Sequence, residues 1–211
     1  MAGPFGDTFV EATTDTALES HTPTGPNAGT AWAAQLGAIL VSQVNDWAQS
    51  NSDVATNRYG MDNAMGGDEF DVQGNFSTDG TPTPGNLQGV GPVGRKATAA
   101  GNASYDFQYD WSVGVNGSWT LNSSDTLDEA WPGGTVTMKL QMRANDHRGF
   151  AGAVEKVQLT DNLGAGNQYG GIRLADFQGG GTGRLRCDDF LETLAAAAAR
   201  APRSFALLGV G

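Results

Sequence analysis

The chain has 211 residues, and its 12 Lys and Arg against 23 Asp and Glu give a formal net charge of −11. That length fits one all-β domain with a core large enough to need no covalent staples, and the acidity argues against a surface built to hold phosphate backbones. The 31 glycines follow no fixed period, which excludes collagen and indicates many turns, while a single cysteine, Cys187, excludes an internal disulfide.

The opening Met1–Phe5 has no basic or apolar leader character, so no signal peptide is expected. No stretch reaches the ~20 apolar residues that a membrane helix requires. Phe5–Val10 reads as a first strand, followed by a loop over Asp15–Pro23 in which His21 is expected to hold structure by hydrogen bonding. Ala38–Val41 is continuously apolar and suits a strand buried on both faces or a short buried crossing. Phe70, Val72 and Phe76 then alternate with Glu69, Asp71, Gln73 and Asn75. Residues two apart on a strand share a face, so this segment has a core side and a wet side.

A strand is expected over Gly89–Ala97 after the turn-rich Pro82–Asn86. Tyr105, Phe107, Tyr109 and Trp111 alternate with Asp106, Gln108 and Asp110, and Val113–Leu121 continues past the turn at Asn116-Gly117. Val136, Met138, Leu140 and Met142 alternate with Thr137, Lys139, Gln141 and Arg143, the clearest two-residue period in the chain. Asn145–Gly149 has turn composition and is expected to leave His147 solvated. Phe150–Leu159, Tyr169–Leu174 and Arg184–Phe190 complete the strands, with Cys187 as a small buried filler. The alanine-rich Leu191–Arg200 reads as a helix stopped by Pro202. Beyond it, the apolar Phe205, Leu207, Leu208 and Val210 are expected to dock on the sandwich or on a neighbour.

The order Asp7-Thr8-Phe9, then Ala17-Leu18-Glu19-Ser20-His21-Thr22-Pro23, then Val90–Arg95, Tyr105–Phe107, Gly170–Leu174 and the closing Asp188-Asp189-Phe190 resembles the concanavalin A-like (laminin G-like) jelly-roll modules of bacteriophage virion structural proteins. The resemblance implies an all-β jelly-roll sandwich over 1–190, with the short helix and apolar tail of 191–211 lying outside it. It also implies a non-enzymatic virion component: a capsid decoration protein, head fibre or tail-associated module on the virion surface, made in the host cytoplasm. Its expected partners are other virion proteins, copies of itself in a homo-oligomer such as a trimer, and a host glycan. Nucleic acid and membrane insertion are not expected. A free-standing lectin-like carbohydrate-binding module is the alternative reading, and an atypical glycan hydrolase the second alternative.

Hydrolases of this fold class carry Glu-x-Asp-x-x-Glu on one strand. Glu69 and Asp71 match its first half, but position 74 is Gly74, so the second carboxyl group that a retaining mechanism requires is missing. No catalytic residue is therefore assigned. Trp47, Tyr59 and Trp131 lie off the regular core faces and are the candidates for stacking on a sugar. No cofactor is expected. A structural calcium is weakly allowed at Asp7, Asp188 and Asp189 if the terminal strands pair.

Overall fold

The computed structural model describes residues 3–11, 14–50, 57–78, 88–103, 105–111, 116–123, 125–176 and 185–195. The first half of the chain supplies β1 (Phe5–Asp7), β2 (Thr16–Ala17), β3 (Trp32–Leu36), β4 (Ile39–Ser42), β5 (Trp47–Ser50), β6 (Asn57–Met61), β7 (Phe70–Thr78) and β8 (Gln88–Lys96). The second half supplies β9 (Tyr105–Asp110), β10 (Ser118–Leu121), β11 (Asp125–Asp128), β12 (Val136–Arg143), β13 (Asp146–Ala151), β14 (Val154–Thr160), β15 (Tyr169–Asp176) and β16 (Leu185–Leu194).

These strands form two antiparallel sheets. One runs β14-β13-β12-β7-β16-β5-β4-β2, with β1 also paired to β16, and the other runs β11-β10-β9-β8-β15-β6-β3. The expected all-β jelly-roll sandwich is what the chain forms. The first and last strands pair: β1 runs antiparallel to β16, placing Phe5 opposite Glu192 and Asp7 opposite Phe190.

The two-residue alternation builds the core. Val136, Met138, Leu140 and Met142 of β12 and Phe70, Val72 and Phe76 of β7 face Tyr105, Phe107 and Tyr109 of β9, all buried in one cluster. Gly149 shows how close the layers come: a Cβ built there would overlap the ring of Phe107, so only glycine lets the sheets meet at that point. Arg95, wholly buried at a positive φ of 47°, clamps three loops from within. Its guanidinium donates to Asp68 O at 3.0 Å, Ala144 O at 3.0 Å and Asn162 Oδ1 at 3.3 Å.

Three expectations need correction. Leu191–Leu194 is not the start of a helix but the end of β16, because Phe190 and Glu192 point inward and the backbone pairs with β7 on one side and β1 on the other. Sheet pairing overrides the helix propensity there, and the strand runs past the expected boundary at residue 190; residues 196–211, with Phe205, Leu207, Leu208 and Val210, lie outside the described residues. His147 is not solvated. It sits on β13, wholly buried, with its ring 4.0 Å from that of Tyr105 and Nε2 3.1 Å from Asp161 O. Burial, aided by the nearby charge of Arg95, lowers its pKa below 6.5. Leu40 is only half-buried, so β4 hides one face of its apolar run rather than two.

Candidate functional site

The residues singled out from the sequence do not converge. Tyr59 lies in the core, 1% exposed, and its hydroxyl donates to Glu19 Oε2 at 2.9 Å, leaving no ring face for a ligand. Burial and that carboxylate push its pKa up to about 12. Trp131 is half-buried in an aromatic cluster, 5.1 Å from Tyr109, 5.3 Å from Trp111 and 5.7 Å from Trp119 between ring centroids. It serves packing first. Trp47 belongs to the nine-stranded sheet, and the guanidinium of Arg186 sits 3.8 Å from its ring centre, covering one face.

Asp7 stands opposite Phe190 in the β1–β16 pairing and lines one cavity with Asp189, yet each aspartate is held by donors of its own. Asp7 points into the protein and is surrounded by donors: the Phe9 and Thr24 backbone N–H groups at 2.8 and 3.0 Å from Oδ1, and Trp32 Nε1 at 2.7 Å from Oδ2. His21 completes the set, with Nε2 3.0 Å from Asp7 Oδ2 and Nδ1 2.6 Å from Glu11 Oε1. Burial alone would lower the His21 pKa, but its hydrogen bonds to the two carboxylates reverse this and raise it above 6.5. The structural role expected for His21 is the one it has. A cation beside Asp7 would meet N–H dipoles of the wrong sign, while Asp188 accepts from the Asp189 N–H and Asp189 from Asn75 Nδ2. This donor set does not fit a calcium ion, and among the described residues no group of three or more His, Cys, Asp or Glu forms a metal cluster.

The hydrolase-like strand is likewise occupied. Glu69 accepts from the Ala144 N–H at 3.0 Å, and Asp71 pairs with Arg143 at 2.6 Å. Position 74 faces inward, where a Cβ would lie 2.9 Å from Cys187 Sγ and 3.0 Å from Phe76, so a glutamate has no room there.

A polar cleft of about 450 Å³ lies instead on the outer face of the seven-stranded sheet, lined by Arg58, Asp106, Gln108, Asp110, Asn122 and Arg173 with Ala103 and Ser123 at its rim. Its logic starts in β9. Because Tyr105, Phe107 and Tyr109 turn inward, Asp106, Gln108 and Asp110 must turn outward. Arg58 of β6 and Arg173 of β15 stand directly opposite each other in register. Both reach across β8, which places Gly91 beside Arg173 and Gly89 beside Asp110 and so puts no side chain in their way.

Arg58 Nη2 forms a short ion pair with Asp106 Oδ2, and Arg173 Nη1 lies 3.6 Å from the same oxygen. Arg173 also donates to Gln108, whose amide donates to Asp110 at 3.2 Å. Strands spaced ~4.8 Å apart would put β6 and β9 about 14 Å apart on a flat sheet, so contact between Arg58 and Asp106 means that this sheet curves around the cleft. Burial lowers the Arg173 pKa; Asp106 opposes the effect and Arg58 adds to it.

One wall is held by a buried lysine. Lys96 Nζ donates to Gly101 O at 2.6 Å and Gln35 Oε1 at 2.9 Å, and Gln35 Nε2 donates to Asn102 Oδ1 at 2.8 Å. Burial pulls the Lys96 pKa down to about 8. The turn at Asn122 and Ser123, both at positive φ, lies at the same end of the sheet, beside the start of β9, where Asn122 Oδ1 accepts the Asp106 N–H at 2.8 Å. Several buried polar atoms around the cleft have no protein partner: Nε of Arg58, Nε of Arg173, Oδ1 of Asp106 and Oγ1 of Thr120, which pairs in register with Gln108.

Half of this site was visible in the sequence as the polar members of β9. The arginines were not, because they come from strands 115 positions apart that only the sheet brings together; 173 − 58 gives that separation.

The architecture defines a fold class, the all-β jelly-roll sandwich of two antiparallel sheets. The chain is similar to the carbohydrate recognition domain of Emp47p, with TM-score 0.59 and 8% identity over 86% of this chain and 95% of that one. It is similar to lectin II from Ulex europaeus, with TM-score 0.57 and 10% identity over 87% and 99% of the two chains. It is also similar to the carbohydrate-binding module CBM66 from Bacillus subtilis, with TM-score 0.51 and 12% identity over 75% and 91%. No protein-family model matches the chain, and no curated protein matches it in sequence.

Proposed function

We propose that this protein is a non-enzymatic carbohydrate-binding module and that the cleft on its seven-stranded sheet is the binding site. The observation that carries the reading is the cleft's lining, in which the polar side chains of Arg58, Asp106, Gln108, Asp110, Asn122 and Arg173 converge on one open space. Polar side chains lining an open cleft hold either water or a ligand that replaces it. Sugars replace water well, since each hydroxyl both donates and accepts. The fold shared with carbohydrate recognition domains supports the choice of ligand class.

A glycan array on the wild-type protein and on Arg173→Ala tests the reading. Binding by the wild type that the variant loses, with melting temperature preserved, is the expected result. Binding that survives in the variant overturns the assignment of the cleft.

Display on a virion surface, as a homo-oligomer among other virion proteins, is a separate proposal that rests on the sequence resemblance alone. Detection of the protein at a fixed copy number in purified particles is its test, and absence from them would end it.

A further inference from the structure

The balance of charge and hydrogen-bonding groups in the cleft narrows the ligand, on the premise that the cleft is the glycan site. Its lining holds two arginines and two aspartates, so the formal charges cancel. Two cations directly opposite on neighbouring strands repel each other; here Asp106 lies against both guanidinium groups and offsets that repulsion. The cleft therefore does not offer an open pair of arginines to an incoming anion. An acidic sugar would have to displace Asp106 from Arg58 and Arg173 and then sit beside two carboxylates, in a protein that carries a formal net charge of −11.

The lining side chains match a different ligand. Arg58 and Arg173 supply donors, Asp106 and Asp110 acceptors, and the Gln108 amide both. Neighbouring hydroxyls of one neutral sugar satisfy such a mixture, one accepting from an arginine while the next donates to the carboxylate. These are charge-assisted bonds, roughly twice as strong as neutral ones. No aromatic side chain is among the described residues lining the cleft, so recognition rests on hydroxyl groups rather than on stacking against the apolar face of a sugar ring. Ala103, Asn122 and Ser123 all line the cleft at the end of the sheet where β9 begins and bound it there, which favours the end of a chain or a branch over the middle of a long polymer.

We propose that the cleft selects the neutral, hydroxyl-rich end of a glycan, with adjacent hydroxyls bridging an arginine and Asp106, and discriminates against sugars carrying a carboxylate or sulfate.

Isothermal titration with matched neutral, uronate-terminated and sulfated oligosaccharides on the full chain tests this at two salt concentrations. Neutral ligands are expected to bind with affinity nearly independent of salt, and their acidic counterparts at least about tenfold more weakly. Asp106→Asn, which keeps the shape and removes the charge, should weaken neutral binding about tenfold or more. Gln108→Ala, read beside it with melting temperatures for both, keeps the test available if Asp106→Asn fails to fold. Tighter, salt-sensitive binding of acidic sugars that Arg173→Ala abolishes would overturn the selection for neutral ligands and leave the glycan site standing. Absence of binding by every class, or binding unchanged in Arg173→Ala and Gln108→Ala, would overturn the site itself.

Discussion

Replacing Asp7 with asparagine changes a carboxylate oxygen to an amide nitrogen at nearly constant volume, so it tests charge and hydrogen bonding rather than packing. The groups that Asp7 meets are donors: the Phe9 N–H at 2.8 Å, the Thr24 N–H at 3.0 Å, Trp32 Nε1 at 2.7 Å and His21 Nε2 at 3.0 Å. An asparagine amide would turn a further donor toward one of them, and His21 would lose the better buried of its two carboxylate partners. Breaking one side of a buried ion pair costs ~3–5 kcal/mol. At ~2–4 °C per kcal/mol for a protein of this size, the melting temperature should fall by roughly 6–20 °C.

The same substitution should alter pH dependence. The His21 pKa is raised above 6.5 in the folded protein, so its stabilisation is complete below pH 6.5 and is lost as pH rises through the folded value. Urea unfolding followed by tryptophan fluorescence across that range should show this slope in the wild type and a shallower one in Asp7→Asn. Millimolar calcium should shift neither midpoint. A variant within about 0.5 kcal/mol of the wild type, well under the expected loss, with an unchanged slope would refute the role given to Asp7.

Arg95→Met should cost several kcal/mol, about 1.5–3 for each charge-assisted bond lost from a buried acceptor, and hydrogen exchange should rise first near Asp68, Ala144 and Asn162; protection unchanged there would contradict the clamp. Glu192 is wholly buried, and burial, opposed by Lys96, raises its pKa well above 4.5. Its contribution is therefore greatest below pH 4.5 and declines as pH rises toward the folded value. Glu192→Gln should accordingly be more stable than the wild type at pH 8 but not at pH 4, and an equal difference at both would show that the carboxyl does not titrate this way. The Cys187 thiol is wholly buried, with its pKa pushed up by burial, so a thiol reagent should label it only on unfolding. Fast labelling of the native protein would place Cys187 at the surface.

The fold was legible where alternation was strong and both faces had distinct solvents, as in β7, β9 and β12. It was poorly legible in β3, β5 and β6, whose short runs of Ala, Gln, Asn and Gly carry little period; their pairing partners, not their composition, make them strands. At β16 local preference pointed the wrong way, since Leu191–Leu194 sits before an alanine run yet is captured between β1 and β7. For the site, exposed-looking aromatics proved a poor guide: Tyr59 and Trp131 pack inward, and the cleft is lined by polar side chains whose partners lie far away in sequence.

The most direct measurement of the central claim is amide chemical-shift mapping with the strongest neutral glycan that an array identifies. The account predicts saturable shifts at Arg58, Asp106, Gln108, Thr120 and Arg173, on four strands of the seven-stranded sheet. Shifts confined to the other sheet, around Trp47 and Arg186, with the cleft silent, would contradict it.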